Sequence, residues 1–148
     1  MRIVFLDIDG VLVTRRSFFI RAGDLPSCEA SCVAALNEIC EATGAQIVVS
    51  SSWRLDTSLG DLKKILEEWG VKAPVLDVTP IGVRTRGAEI EEWMSAWANK
   101  GGTIESYVIV DDCPDVEGEL LPHLVETKWN SGLSAADARK AIEILGSA

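Results

Sequence analysis

The segment that most constrains the fold lies at residues 3–12, where an apolar run is interrupted by Asp7 and Asp9. A continuous apolar run of this length is typical of a parallel strand that is buried on both faces of a sheet. Ligands of such sheets bind outside the carboxyl ends of the strands, and the two acidic residues fall at such an end. The segment therefore predicts a central strand that delivers two carboxylates to a site.

The two carboxylates of this segment are one residue apart. Their side chains point the same way in an extended chain, because the side-chain period of a strand is two. Neighbouring carboxylates repel each other unless a cation or a shared proton lies between them. Gly10, directly after the pair, permits a tight turn. A nucleophilic carboxylate, a second carboxylate that moves protons and a hard cation together favour phosphoryl chemistry.

Strands and helices alternate along the rest of the chain. Further buried strands are predicted at residues 46–49, 74–78 and 107–110, with a short fifth strand at 123–126. Apolar residues at helical spacing predict helices between the strands, and Ser27 is expected to cap the first, over about residues 28–43. Strands that alternate with helices form a parallel sheet covered on both faces. We therefore expect a single three-layer α/β/α domain over residues 1–148.

The composition limits the class of protein. A formal net charge of −9 argues against a broad nucleic-acid-binding face, although it leaves room for a local basic patch. No apolar run approaches the length of a membrane span, and the N-terminal run is too short for a signal peptide. The four cysteines do not form the disulfide framework of a secreted protein. These features predict a cytoplasmic protein with no membrane partner.

Polar residues follow two more of the predicted strands. Three serines, Ser50, Ser51 and Ser52, come after the second strand, and an acidic segment that begins at Asp111 comes after the fourth. If the fourth strand lies beside the first, the two acidic clusters meet and form an all-oxygen site suited to Mg²⁺. Hydroxyl and N–H groups at the end of the second strand would then hold phosphoryl oxygens.

The sequence Asp7-Ile8-Asp9-Gly10-Val11-Leu12 resembles the first signature of the haloacid dehalogenase (HAD)-type phosphatases, and three further signatures follow in order. The resemblance covers the whole chain and implies a Rossmann-like parallel sheet with strand order 5-4-1-2-3. It implies that Asp7 is a nucleophile that forms an aspartyl-phosphate. It also implies that Asp9 protonates the leaving group and then activates the hydrolytic water.

The second signature of this family is a Ser or Thr directly after the second strand, which makes Ser50 the first candidate. The register read from Trp53-Arg54 favours Ser51 instead, and the hydroxyl of one and the N–H of the next would both serve. The alternative is a serine-rich turn that only caps the next helix. We expect Gly10, Ser52 and Arg54 to contact the substrate.

The third and fourth signatures supply charge. The third is normally a Lys before a helix, and here Arg86 takes that position, which keeps the charge and adds a fork geometry. The fourth is Asp111-Asp112, with Asp115 a turn later. By resemblance, Asp112 ligates the metal beside Asp7 and the main-chain carbonyl of Asp9. Asp111 and Asp115 act as ligands directly, through water, or as orienters of the arginine.

No insertion large enough for a cap domain is visible, and residues 11–26 form at most a short flap. An open site in this family often accompanies large substrates such as proteins or nucleic-acid ends, and similar Ser-rich Trp-Arg versions occur in domains tied to nucleic-acid end repair. The resemblance implies a Mg²⁺-dependent phosphatase that hydrolyses a phosphomonoester. The alternative is a phosphate- or partner-binding module that keeps the site without turnover.

Overall fold

The computed structural model of the chain describes residues 1–22, 25–82, 85–112 and 115–146. The strands are β1 (Arg2–Leu6), β2 (Arg21–Ala22), β3 (Leu25–Pro26), β4 (Gln46–Val49), β5 (Val75–Val78), β6 (Ser106–Asp111) and β7 (Leu124–Glu126). The α-helices are α1 (Arg15–Phe18), α2 (Ala30–Thr43), α3 (Leu59–Glu68), α4 (Arg86–Asn99) and α5 (Ala135–Leu145), and 3-10 helices cover Ser52–Leu55 and Gly118–His123.

The main sheet is parallel throughout and has the order β5-β4-β1-β6-β7. In the numbering of the five predicted strands this is 3-2-1-4-5, which is the implied order 5-4-1-2-3 in reverse. The strand order implied by the resemblance is therefore confirmed. Strand β1 lies in the centre because its apolar residues are covered on both faces, and Ile3 to Leu6 are fully buried.

The two faces of the sheet carry separate clusters of apolar side chains. On one face, Val4 and Leu6 pack in a cluster with residues of α2, α3 and α5. On the other, Ile3 and Phe5 pack with Trp93 of α4, whose ring meets Phe5 edge-on at 5.6 Å between centroids. Alternate residues of β1 thus face opposite layers, as the period of two requires.

The first turns of α5 and α2 are held in different ways. Ser134 caps α5 in a capping box with Asp137. The predicted cap at Ser27 is wrong, because α2 begins at Ala30 and its N-cap is Glu29, whose side chain makes no capping hydrogen bond. The Glu29 carboxylate instead accepts hydrogen bonds from Thr14 and Arg16.

The chain between β1 and α2 is short, as the sequence predicts for the flap. It contains α1, a helix of four residues, and the antiparallel pair β2 and β3, which are two residues each. Residues 23 and 24, within the predicted flap, lie outside the described residues. In the part of the chain that the structure describes, no helix has both the length and the apolar character needed to cross a bilayer.

Candidate active site

Three polar residues stand in one row at the carboxyl ends of neighbouring strands. The register of β4, β1 and β6 aligns Ser50, Asp7 and Asp111 side by side. The Asp7 N–H donates to the carbonyl of Val110 at 3.0 Å, and the Ser50 N–H donates to the carbonyl of Leu6 at 2.9 Å. The sheet ladder thus continues past the strand ends and fixes the backbone under the site.

The row faces α4. Two residues earlier on each strand, Phe5, Val48 and Ile109 belong to the apolar cluster under α4. Because alternate residues of a strand share a face, the row lies on the same side of the sheet as that cluster. Asp7, Ser50 and Asp111 are all buried, so their polar atoms need partners inside the protein or in a bound ligand.

Arg86, the first residue of α4, supplies the positive charge of the site. Its Nη1 lies 2.5 Å from Asp111 Oδ2 and 3.5 Å from Asp7 Oδ1. Burial works against the charged guanidinium, but the two carboxylates outweigh it and raise the pKa of Arg86. The start of the helix is held by the Thr85 hydroxyl, which accepts from the Ala88 N–H at 3.1 Å.

Asp7 belongs to a group of three carboxylates whose oxygens lie close together. One carboxylate oxygen each of Asp7, Asp111 and Asp112 lies within 4.8 Å of the other two. Gly10 has φ +79°, and a Cβ there would overlap the Asp112 carboxylate, so only glycine permits this approach. Three carboxylates with one nearby arginine form a hard, negatively charged donor set, and this set fits Mg²⁺.

The protonation of Asp7 depends on what lies beside it. The pKa of Asp7 is raised to about 8, and burial is the largest cause. The charge of Asp111 and a hydrogen bond to the Asp112 carboxyl contribute to this rise, and the charge of Arg86 opposes it. A divalent cation would favour the ionised form of each carboxyl and so reverse the shift.

Asp9 is half-buried, and its Oδ1 has no hydrogen-bond partner among the described residues. Burial raises the pKa of Asp9, a hydrogen bond from the Trp53 side chain opposes the rise, and the charge of Asp112 adds to it. A raised pKa suits a carboxyl that must carry a proton near neutral pH.

The side chains of the three serines, Ser50, Ser51 and Ser52, have different surroundings. The Ser50 Oγ is buried and has no hydrogen-bond partner in the described part of the chain. The Ser51 Oγ accepts from the Trp53 N–H at 3.2 Å and caps the 3-10 helix. Ser52 is exposed at the start of that helix. This arrangement leaves the Ser50 hydroxyl, rather than that of Ser51, available to a ligand.

Two of the predicted site residues are not among the groups that meet around Asp7. Arg54 was expected to contact the substrate, but its guanidinium is buried and donates to main-chain carbonyls and to the Glu89 carboxylate. Asp115 was expected as a metal ligand, directly or through water, or as an orienter of Arg86. Its side chain is exposed and lies outside the three-carboxylate group found in the described residues. Its main-chain carbonyl accepts from the Gly87 N–H at 3.0 Å and so helps to fix the first turn of α4.

Sequence reasoning missed Thr127 and Glu89. The Thr127 hydroxyl donates to the Gly10 carbonyl at 2.6 Å, and its N–H donates to the Asp111 carbonyl at 3.0 Å. It therefore joins the turn after β1 to the end of β6. A lone threonine after a short strand gives no signal of this in the sequence. For Glu89 the sequence does contain a signal, because an acidic residue on the apolar face of an amphipathic helix indicates a buried partner.

Comparison with known proteins bears on this arrangement. A family model described as "HAD domain in Swiss Army Knife RNA repair proteins" matches residues 3–138, which is nearly the whole chain. The match confirms the resemblance that the four signatures suggested, and it supports a HAD-like hydrolase or phosphatase at the level of the family. No curated protein and no solved structure matched the chain.

Proposed function

Because the chain belongs to the family of HAD domains of Swiss Army Knife RNA repair proteins, we propose that it hydrolyses a phosphomonoester through an aspartyl-phosphate on Asp7. The observation that carries the proposal is the convergence around Asp7. Arg86 lies on one side of Asp7, and Asp112 is hydrogen-bonded to Asp7. The Ser50 hydroxyl, which has no hydrogen-bond partner among the described residues, stands in the same row as Asp7.

In the first step, an Asp7 carboxylate oxygen attacks phosphorus and the ester oxygen leaves with a proton from Asp9. In the second step, Asp9 takes a proton from water, the water oxygen attacks phosphorus, and inorganic phosphate leaves as the Asp7 carboxylate is restored. Arg86 offsets negative charge beside the transferred group, and the Ser50 hydroxyl donates to one of its oxygens.

Asp111 and Asp112 take different parts in this proposal. Asp111 is engaged by Arg86 at 2.5 Å and orients that guanidinium. Asp112 packs against Gly10 beside Asp7, so Asp112, Asp7 and the main-chain carbonyl of Asp9 would hold Mg²⁺. When bound, the cation supplies positive charge that offsets the phosphoryl oxygens and the Asp7 carboxylate.

The test is hydrolysis of p-nitrophenyl phosphate with and without Mg²⁺, by the wild type and by Asp7→Asn and Asp9→Asn. We expect turnover that requires the cation, is abolished in Asp7→Asn and falls by about 100-fold or more in Asp9→Asn. Asp61→Asn, an exposed acid on α3, is the matched control and should keep full activity. Activity that survives Asp7→Asn would contradict the mechanism.

We propose a phosphorylated nucleic-acid end as the substrate. The printed description of the family supports this choice, because it concerns RNA repair proteins. The short flap supports it as well, because the described residues between β1 and α2 form only the four-residue helix α1 and the two-residue strands β2 and β3. We expect kcat/KM for an oligoribonucleotide with a terminal 3′- or 5′-phosphate to exceed that for small sugar phosphates by roughly 100-fold.

The rival function is a module that binds a phosphorylated partner without turnover. The acid/base position of Asp9 speaks against it, since binding alone has no use for a proton carrier. If the protein binds Mg²⁺ and phosphorylated oligonucleotides but cleaves neither these nor p-nitrophenyl phosphate, the phosphatase proposal is wrong and the binding module replaces it.

A further inference from the structure

The buried side chain of Arg54 joins three segments around the site. Its Nε donates to the Thr79 carbonyl at 3.0 Å, and Nη2 donates to the Pro80 carbonyl at 3.2 Å. Its Nη1 donates to the carbonyls of Ser50 at 3.3 Å and Ser51 at 2.8 Å. The remaining N–H of Nη2 faces the Glu89 carboxylate at 2.7 Å. All five guanidinium N–H groups are thus used.

The contacts with the serine turn orient its peptide groups. In a trans peptide the N–H points away from the C=O of the same unit. Because the carbonyls of Ser50 and Ser51 point at Arg54, the N–H groups of Ser51 and Ser52 point away from it. Neither N–H donates to an acceptor within the described residues, and the Ser50 Oγ there also lacks a partner. The turn therefore presents unused donors, which is what a phosphoryl group requires.

The contact with Glu89 reaches the other side of the site. Glu89 lies three residues after Arg86 on α4, so the two share one side of the helix. The Glu89 Oε2 also accepts from the Gly82 N–H at 2.8 Å. The Arg54 and Glu89 side chains are 4% and 9% exposed, so the pair is almost free of solvent. Buried ion pairs often add little to the stability of the folded state. A gain in stability therefore does not by itself explain why Arg54 and Glu89 are paired here.

We propose that the Arg54–Glu89 pair is a positioning device that fixes the serine donors and Arg86 at the spacing that a phosphoryl group on Asp7 requires. The inference rests on the proposed phosphatase function. Neither residue touches the substrate. Arg54 acts through the peptide groups of the serine turn, and Glu89 acts through α4.

The test separates positioning from folding with two kinds of variant. The double variant Arg54→Met with Glu89→Met removes both charges together, which avoids the unpaired buried charge that each single Met variant would leave. Arg54→Lys keeps the charge but has only three N–H groups, so it cannot make all five contacts. Arg2→Lys is the matched control, since Arg2 pairs with Glu105 at 2.9 Å at the amino end of β1.

Three quantities are measured for each variant: the Tm, the steady-state kinetics with an aryl phosphate, and the Kd of inorganic phosphate in the presence of Mg²⁺. The single variant Arg54→Met is measured as a reference, and we expect the double variant to regain most of the Tm that this single variant loses. Its kcat/KM should nevertheless fall about 100-fold, mainly in kcat, because misplaced donors act most on the charge of the transition state. Its phosphate Kd should rise about tenfold or more. Arg54→Lys should lose about tenfold in kcat/KM.

The control Arg2→Lys should stay within about twofold of the wild type in every quantity. If either Arg54 variant keeps the kcat/KM and the phosphate Kd of the wild type within about twofold, the positioning role is wrong, whatever its Tm. If the wild type itself does not turn over, the proposed function fails, and the phosphate Kd alone then decides the positioning role. A native Kd in the Arg54 variants would overturn it, and a weakened Kd would support it.

Discussion

Asp7 is a single residue that the proposed function needs and that lowers the stability of the metal-free folded state. Its carboxyl is buried next to Asp111 and Asp112, and without a cation its pKa lies near 8. Between pH 4 and 8 the metal-free folded state therefore keeps a proton that the unfolded chain releases. The unfolded state binds fewer protons in this range, so the stability of the folded state falls as the pH rises.

We accordingly expect the Tm of the metal-free protein to fall between pH 5 and pH 8, and Asp7→Asn to remove much of this decline. At pH 8 in EDTA, Asp7→Asn should raise the free energy of unfolding by on the order of 1–3 kcal/mol. Adding Mg²⁺ should stabilise the wild type at pH 8 and have little effect on Asp7→Asn. Thermal unfolding across this pH range measures both effects. A wild-type Tm that rises from pH 5 to pH 8 without metal would contradict this prediction.

Trp53 acts on Asp9 through a hydrogen bond that lowers the pKa of that carboxyl. Trp53→Phe removes the donor but keeps a ring against Trp69, which now meets Trp53 edge-on at 5.6 Å. The pKa of Asp9 should rise, and because Asp9 must be protonated in the first step, the alkaline limb of the kcat/KM profile should move to higher pH. The pH–rate profile measures this shift. Trp69→Phe, which alters the ring contact alone, should leave the limb in place.

At the scale of the element, α4 places the arginine of the site by its first turn. The Thr85 hydroxyl caps this turn, and the Asp115 carbonyl holds the Gly87 N–H. Helix α5 has a comparable cap at Ser134 but carries none of the proposed site residues. The two helices therefore offer a matched comparison of what a lost cap does.

Thr85→Ala and Ser134→Ala should each cost about 1 kcal/mol of stability, because each leaves a helix N–H without its acceptor. Only Thr85→Ala should reduce kcat, by about threefold to tenfold, because fraying of α4 displaces Arg86. Urea unfolding and steady-state kinetics on both variants measure the two effects. Equal activity in Thr85→Ala and Ser134→Ala would show that the first turn of α4 is not needed for turnover.

Elements that depend on neighbouring residues in the sequence were predictable, and those that depend on contacts with distant residues were not. The buried strands and the end of α2 at Gly44 were predictable, since apolar runs and a glycine with φ +71° are local features. The start of α2 was not, because the Glu29 carboxylate is engaged by the distant flap residues Thr14 and Arg16. The contacts of Arg54 were not predictable for the same reason. An arginine after a strand resembles a surface cation until the fold brings Glu89 to it.

At the scale of the molecule, the sheet order brings the two acidic segments together, because β6 pairs with β1. The sequence predicted this meeting once the strand order was assumed. The sequence could not show that Asp111 contacts Arg86 while Asp112 lies against Gly10, because Arg86 and Gly10 come from distant parts of the chain. The net charge of −9 also matters at this scale, because a negatively charged protein and a polyanion such as a nucleic acid repel each other.

If the substrate is a nucleic-acid end, recognition should depend on the terminal phosphate rather than on many backbone phosphates. We expect kcat/KM for a phosphorylated oligoribonucleotide to change by less than about tenfold between 50 and 200 mM salt. Kinetics at several salt concentrations measure this dependence. A loss of about a thousandfold would instead reveal a basic groove that contacts many phosphates.

In the proposed mechanism the phosphoryl group passes through Asp7, and trapping the phosphorylated residue tests this step. The protein is mixed with an aryl phosphate and Mg²⁺, quenched in acid within milliseconds, digested, and its peptides are weighed by mass spectrometry. We predict a hydroxylamine-sensitive phosphate on Asp7 that is absent in Asp7→Asn and in EDTA. Phosphate on another residue, or turnover by the wild type with no phosphorylated Asp7 at any quench time, would contradict a mechanism through Asp7.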